Sequence, residues 1–158
     1  MRPRSLDDFL TRNRVPYTTF RHPPAFSAMQ AAALSHVPGR SWAKTVVCVG
    51  DGEVLLAVVP AHYKVDCEKL RALAGTASLR LATESEFCDL YPDCERGALP
   101  PFGGAYVRRV FVEECFVGDP EMVFNAGTHT DCVRMHYGDF VDLANPTVGR
   151  FSRPRAES

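Results

Sequence analysis

Lys44-Thr45-Val46-Val47-Cys48-Val49-Gly50, followed by Asp51-Gly52 and then Glu53-Val54-Leu55-Leu56-Ala57-Val58-Val59, is the stretch that decides the fold. Two β-rich runs flank an Asp-Gly pair, and Asp-Gly readily takes the positive φ angles that a two-residue hairpin turn demands. The stretch therefore predicts a central β-hairpin with a lysine at its mouth.

Upstream, Ser5-Leu6-Asp7-Asp8 has the form of a capping box, and Leu6, Phe9 and Leu10 fall on one face of the short helix it opens, which should end near Asn13. Residues 17–21 read as a strand that Pro23 and Pro24 interrupt, and Ser27 is placed to cap an Ala-rich helix over 28–34. Downstream, Leu70 and Leu73 continue a helical stripe from Val65 that should stop at Gly75. A strand over 78–82 follows, then a second capping box, Thr83-Glu84-Ser85-Glu86, opening a helix that ends before Pro92. Beyond a loop rich in Gly and Pro, residues 106–112, 122–125 and 132–136 read as strands and 139–144 as a last short helix.

Strands and helices mix here without strict βαβ alternation. The order predicts one α+β domain over residues 1–149, with a curved, mixed or mostly antiparallel sheet surrounded by short helices. In residues 150–158 Arg, Ser and Pro replace the apolar pattern, which predicts a flexible C-terminal tail.

A chain of 158 residues can bury a real core without metal or disulfide, and 46% hydrophobic with 23% charged residues is ordinary for a soluble globular domain. The N-terminus carries basic residues but no apolar stretch behind them, so it does not read as a secretory signal, and no run is long enough to span a membrane. A cytoplasmic address is expected. Six cysteines, Cys48, Cys67, Cys88, Cys94, Cys115 and Cys132, show no C-x2-C spacing, which suits free thiols in a reducing compartment.

The net charge of −1 is unevenly placed: residues 1–44 carry seven Arg or Lys against two acids, and residues 45–149 carry eight against sixteen. Solvated faces account for most such asymmetry, but Arg12, Arg14 and Arg21 in the basic segment are also candidates to meet a phosphate backbone.

Several chemistries are excluded by missing motifs. The chain has no G-x-S-x-G elbow, no H-E-x-x-H, no deaminase H-x-E with P-C-x-x-C, no P-loop and no G-x-G-x-x-G. Its five histidines lack ligand spacing, so no metal and no cofactor is expected.

Three segments remain conspicuous. Ala43-Lys44-Thr45 puts a lysine at the start of an apolar strand, where a solvated edge residue would be the ordinary explanation. Gly97-Ala98-Leu99-Pro100-Pro101-Phe102-Gly103-Gly104 brackets two rigid prolines with glycines, and Ala126-Gly127-Thr128-His129-Thr130 forms a Gly-Thr-His turn between two strands. Together with Arg21-His22-Pro23-Pro24, and in this order, they resemble the YbaK/prolyl-tRNA synthetase-associated family of aminoacyl-tRNA deacylases, a match running from about Val15 to Pro146.

The resemblance implies a role for each matching residue. Lys44 would hold the terminal phosphate or ester region of the substrate. Gly97 and Pro101 match the family's Gly-x-x-x-Pro loop, which would approach the aminoacyl ester with backbone N–H groups, and Phe102 and Gly103 continue its Pro-Phe-Gly. Gly127, Thr128 and His129 would define the amino-acid site, and His22 matches an early family histidine on the substrate side. The ester is already activated, so placing a water and stabilising the oxyanion suffices without a protein nucleophile. In the family the neighbouring ribose hydroxyl is implied to assist that water.

The branch that clears cysteinyl-tRNA tends to carry a double glycine where this chain has Ala126-Gly127, which favours alanine, serine or threonine over cysteine. Action in trans on the acceptor end of aminoacyl-tRNA is expected, with a synthetase as a candidate partner, no DNA or membrane, and a monomer or weak dimer. Two other classes fit the same residues: a non-catalytic module that recognises tRNA ends or a synthetase, and hydrolysis of another small ester or amide.

Overall fold

The computed structural model describes residues 3–23, 27–91, 94–95, 98–102, 107–116 and 120–154. In chain order the elements are α1 (Pro3–Arg12), β1 (Tyr17–Arg21), α2 (Ala28–Leu34), β2 (Ala43–Gly50), β3 (Glu53–Pro60), β4 (Tyr63–Val65) and α3 (Cys67–Ala74). After them come β5 (Leu79–Leu81), α4 (Glu84–Leu90), β6 (Val107–Glu113), β7 (Glu121–Asn125), β8 (Asp131–His136), α5 (Tyr137–Ala144), β9 (Thr147–Gly149) and β10 (Ser152–Pro154).

The central hairpin forms as the Asp51-Gly52 pair requires, with φ of 50° and 81° at those two residues. β2 and β3 pair antiparallel from Ala43↔Pro60 to Gly50↔Glu53 and lie inside a five-stranded sheet of order β5-β2-β3-β6-β9, in which β6 and β9 run parallel to their neighbours. β1, β8 and β7 make a second, antiparallel sheet, and β10 pairs with β4 in a third ladder. The α+β character and mixed pairing follow the sequence expectation, with the described strands divided among three sheets. A single parallel bridge, Trp42 to Val123, joins the two larger sheets.

β3 shows why the five-stranded sheet is central. From Leu55 onward all its residues are buried, and they alternate between two cores as a strand's twofold period dictates. Leu56 and Val58 join Val47, Val112, Phe102, Phe124 and Phe140 on one face, while Leu55, Ala57 and Val59 join Cys48, Leu70, Phe111 and Phe151 on the other.

Several boundaries differ from the sequence reading. α1 begins at Pro3, so Ser5 lies inside the helix; proline suits the first turn because its missing N–H has no helical partner there. α3 begins at Cys67, because Asp66 caps it by accepting from the backbone N–H groups of Glu68 and Lys69, and Val65 ends β4 instead. α4 carries its capping box as read: Thr83 and Glu86 satisfy each other's backbone N–H groups.

The expectation of a flexible tail from residue 150 is corrected through Pro154. Phe151 is fully buried against Phe111, and β10 pairs with β4. The buried Glu113 carboxylate accepts from the Phe151 N–H at 3.0 Å and from the Ser152 hydroxyl at 2.5 Å, clamping the segment in place. Local composition could not show this, because the partner lies 38 residues upstream in β6. Residues 155–158 lie outside the described residues. Among the described residues, no helix is long and apolar enough to cross a membrane.

Candidate active site

The β7–β8 connection is a tightly bonded turn. The Ala126 N–H donates to the Asp131 carbonyl at 2.8 Å, and Gly127 takes a φ of 97°, which an L side chain would strain. The Thr128 hydroxyl accepts from the N–H groups of Thr130 and Asp131 at 3.3 and 3.0 Å and donates to Asp131 Oδ2 at 2.6 Å. Asp131 Oδ1 in turn lies 3.2 Å from Arg21 Nε.

The described residues of the loop after α4, 94–95 and 98–102, dock on this turn. The Glu95 N–H donates to the Gly127 carbonyl at 2.8 Å, and the Gly127 N–H donates to the Ala98 carbonyl at 2.8 Å. The Glu95 carboxylate accepts from the His129 N–H at 2.6 Å. Behind these bonds Ala98, Leu99, Pro100, Pro101 and Phe102 are buried. The Phe102 ring packs on Phe9, Phe140 and Phe124 at centroid distances of 5.4, 5.6 and 5.9 Å, so it anchors the loop in the core. Gly97 and Gly103 lie outside the described residues.

The end of β1 completes the cluster. The His22 N–H donates to the Thr130 carbonyl at 3.0 Å, and His22 itself is buried. Its Nδ1 stands 2.6 Å from the Pro23 carbonyl, which can only accept, so Nδ1 donates there. Nε2 is buried without a hydrogen-bond partner, as is Nε1 of Trp42, whose ring meets His22 edge-on at 5.8 Å. A cavity of about 290 Å³, bordered by Phe20, Arg21, Ala126 and Asp131, lies beside the turn.

Lys44 lies on β2, two residues beyond Trp42. Trp42 faces Val123 across the parallel bridge, and two residues further on each strand come Lys44 and the buried Asn125, the last residue of β7 before the turn. Lys44 is half-buried and pairs across the hairpin with Val59. The structure thus brings the regions of His22, Pro101 and Gly127–His129 together by direct hydrogen bonds, while Lys44 belongs to the neighbouring sheet. Arg12 and Arg14 are exposed and lie beyond the Tyr17 end of β1, about 13 Å along the strand from Arg21.

The buried thiols of Cys132 and Cys48 are held protonated. Burial, helped by the neighbouring Asp131, pushes Cys132 up to about 12, and burial with Cys67 nearby does the same to Cys48. Among the described residues no group of three His, Cys, Asp or Glu side chains is arranged to hold a metal ion.

Three residues of the cluster escaped the motif reading: Glu95, Asp131 and Trp42. Asp131 had a usable signal, since Thr128-His129-Thr130-Asp131 repeats the capping-box spacing without a helix. Glu95 and Trp42 had none, because their partners are distant in sequence.

Residues 22–143 match the model of the aminoacyl-tRNA editing domain, and this chain belongs to that family, the YbaK/prolyl-tRNA synthetase-associated one. Among its relatives is the multifunctional Ser/Thr-tRNA deacylase ProXp-y of Escherichia coli, 28% identical over 116 residues that cover 70% of this chain and 69% of the relative. A proline–tRNA ligase of Nitratidesulfovibrio vulgaris is 31% identical over 104 residues, covering 66% of this chain and only 18% of the ligase. The fold matches the crystal structure of the hypothetical protein APE2540 with a TM-score of 0.85 at 18% identity, covering 94% of this chain and 99% of the other. It also matches a proposed trans-editing enzyme for prolyl tRNA synthetase with a TM-score of 0.81 at 23% identity, covering 96% of each chain.

Proposed function

We propose that the chain is a trans-acting aminoacyl-tRNA deacylase that hydrolyses the ester of mischarged tRNA, with alanine, serine or threonine favoured over cysteine. The observation that supports this reading is the hydrogen-bonded docking of Glu95 and Ala98 on the Gly127–His129 turn, next in sequence to Pro101 and Phe102. The serine and threonine preference named for the Escherichia coli relative points the same way.

In this mechanism a water oxygen attacks the ester carbonyl carbon, and backbone N–H groups of the loop around Gly97 stabilise the oxyanion that develops. The bond from that carbon to the ribose oxygen then breaks, the ribose oxygen takes up a proton, and free amino acid and tRNA leave. The neighbouring ribose hydroxyl helps orient the water. Lys44 acts as a fixed cation for the phosphate or ester end, Gly127, Thr128 and His129 bound the amino-acid site, and His22 lies on the substrate side. Arg12, Arg14 and Arg21 reach phosphates further along the acceptor stem. The protein works as a monomer or weak dimer in the cytoplasm, alone or with a synthetase that presents the tRNA.

The test is a panel of correctly and incorrectly charged tRNAs incubated with the pure protein, with amino-acid release measured for each. Release from alanyl-, seryl- or threonyl-tRNA mischarged on a non-cognate tRNA is expected, and it should weaken as salt rises. No release from any member would contradict the deacylase and favour a non-catalytic tRNA-binding module.

A further inference from the structure

We infer that Glu95 is a positioning residue: its carboxylate sets the geometry of the His129 turn against the 94–102 loop, and catalysis depends on that setting. The inference rests on the deacylase reading. Glu95 grips the turn at two points, with its N–H on the Gly127 carbonyl at 2.8 Å and its carboxylate on the His129 N–H at 2.6 Å. Its own carbonyl accepts from the Ala98 N–H at 3.0 Å, and the Ala98 carbonyl accepts from Gly127, so loop and turn form one closed set of hydrogen bonds around this residue.

The two ends of that set differ in stiffness. The Ala98 side is backed by the buried Leu99 and Phe102, whereas His129 is half-buried and no described hydrogen bond other than that to Glu95 holds its N–H. A carboxylate accepting an N–H makes a charge-assisted bond, stronger than a neutral one. Glu95 is exposed, which makes it dispensable to the core. Its bond joins residues 34 positions apart and ties the loop to His129, which bounds the proposed amino-acid site. Small misplacement of groups around a reacting centre can cost on the order of 100-fold in rate.

The test compares wild type, Glu95→Ala and Glu95→Gln in kcat and KM on the mischarged tRNA that wild type hydrolyses, with the His129 amide followed by NMR. Glu95→Ala is expected to lower kcat by about 10–100-fold with KM nearly unchanged and to shift the His129 amide upfield. Glu95→Gln, which keeps an acceptor oxygen of the same reach, should recover most of the rate and most of the amide shift. Wild-type kcat in Glu95→Ala, or a Glu95→Gln no better than Glu95→Ala, would overturn the inference. If wild type releases no amino acid from any charged tRNA, the deacylase reading fails instead, and an unmoved His129 amide in Glu95→Ala would then overturn the role of Glu95 as well.

Discussion

The hairpin that carries Lys44 and the turn that carries His129 are held by different forces. β2 and β3 pair over eight residues each, and β3 is buried on both faces, so the Lys44 strand is fixed by apolar burial and a regular ladder. The His129 turn is fixed by polar bonds: the Thr128 hydroxyl to Asp131, the Glu95 carboxylate to the His129 N–H, and the Arg21–Asp131 pair. The difference teaches that the hairpin is a stiff wall set by burial, whereas the turn takes its geometry from a polar network. Burial contributes most of the stability, while the polar turn sets geometry that stability measurements register only weakly.

The largest expected effect breaks the stiff side. Leu56→Ala should cost about 2–5 kcal/mol, read as a lower urea midpoint, because Leu56 is fully buried in the main core. Thr128→Ala, by contrast, should cost about 1–3 kcal/mol yet lower deacylation by more than the lost stability explains. A Thr128→Ala protein with wild-type turnover, or one destabilised as much as Leu56→Ala, would erase the distinction between the two regions.

The smallest effect concerns the joint between them. α4 leads into the docking loop, and its Glu86 ties it to β5, the edge strand beside β2. Arg80 holds Glu86 with bonds of 2.7 and 2.9 Å, and the Thr83 N–H adds a third of 2.8 Å. The Arg80 guanidinium, followed by the Thr83 N–H, holds the Glu86 carboxyl down to about 2 from its ordinary 4.5. A folded-state value below the unfolded one gives stability that is complete above about 4.5 and is lost as the pH falls through about 2. Because the pair is largely solvent-screened, the change is modest. Glu86→Gln should therefore flatten the fall in urea midpoint between these two pH values, and parallel curves for variant and wild type would show that the joint contributes nothing.

The same contrast explains how much was legible in the sequence. The hairpin, the Ser27 cap and the Thr83 capping box are local signals, and all three stand where the residues placed them. β10 and the seat of Phe151 were not legible, since both depend on Glu113 and Phe111 far upstream. At the candidate site, the ordered motifs name Lys44, Pro101 and His129, but not Glu95 and Asp131, whose bonds hold the turn. Phe102 reads as part of a glycine-rich loop, and only its packing on Phe9, Phe124 and Phe140 shows that the loop hangs from the core. Glu95 resembles any exposed acid until its 2.6 Å bond to the His129 N–H is seen.

The central claim is that Lys44, set by the stiff wall, serves the reaction and not the fold. Its most direct test is Lys44→Ala, assayed for amino-acid release from the mischarged tRNA that wild type hydrolyses and for circular dichroism on the same sample. A loss of about 100–1,000-fold in kcat with an unchanged spectrum is the expected result. Near-normal turnover from a natively folded Lys44→Ala protein would contradict it.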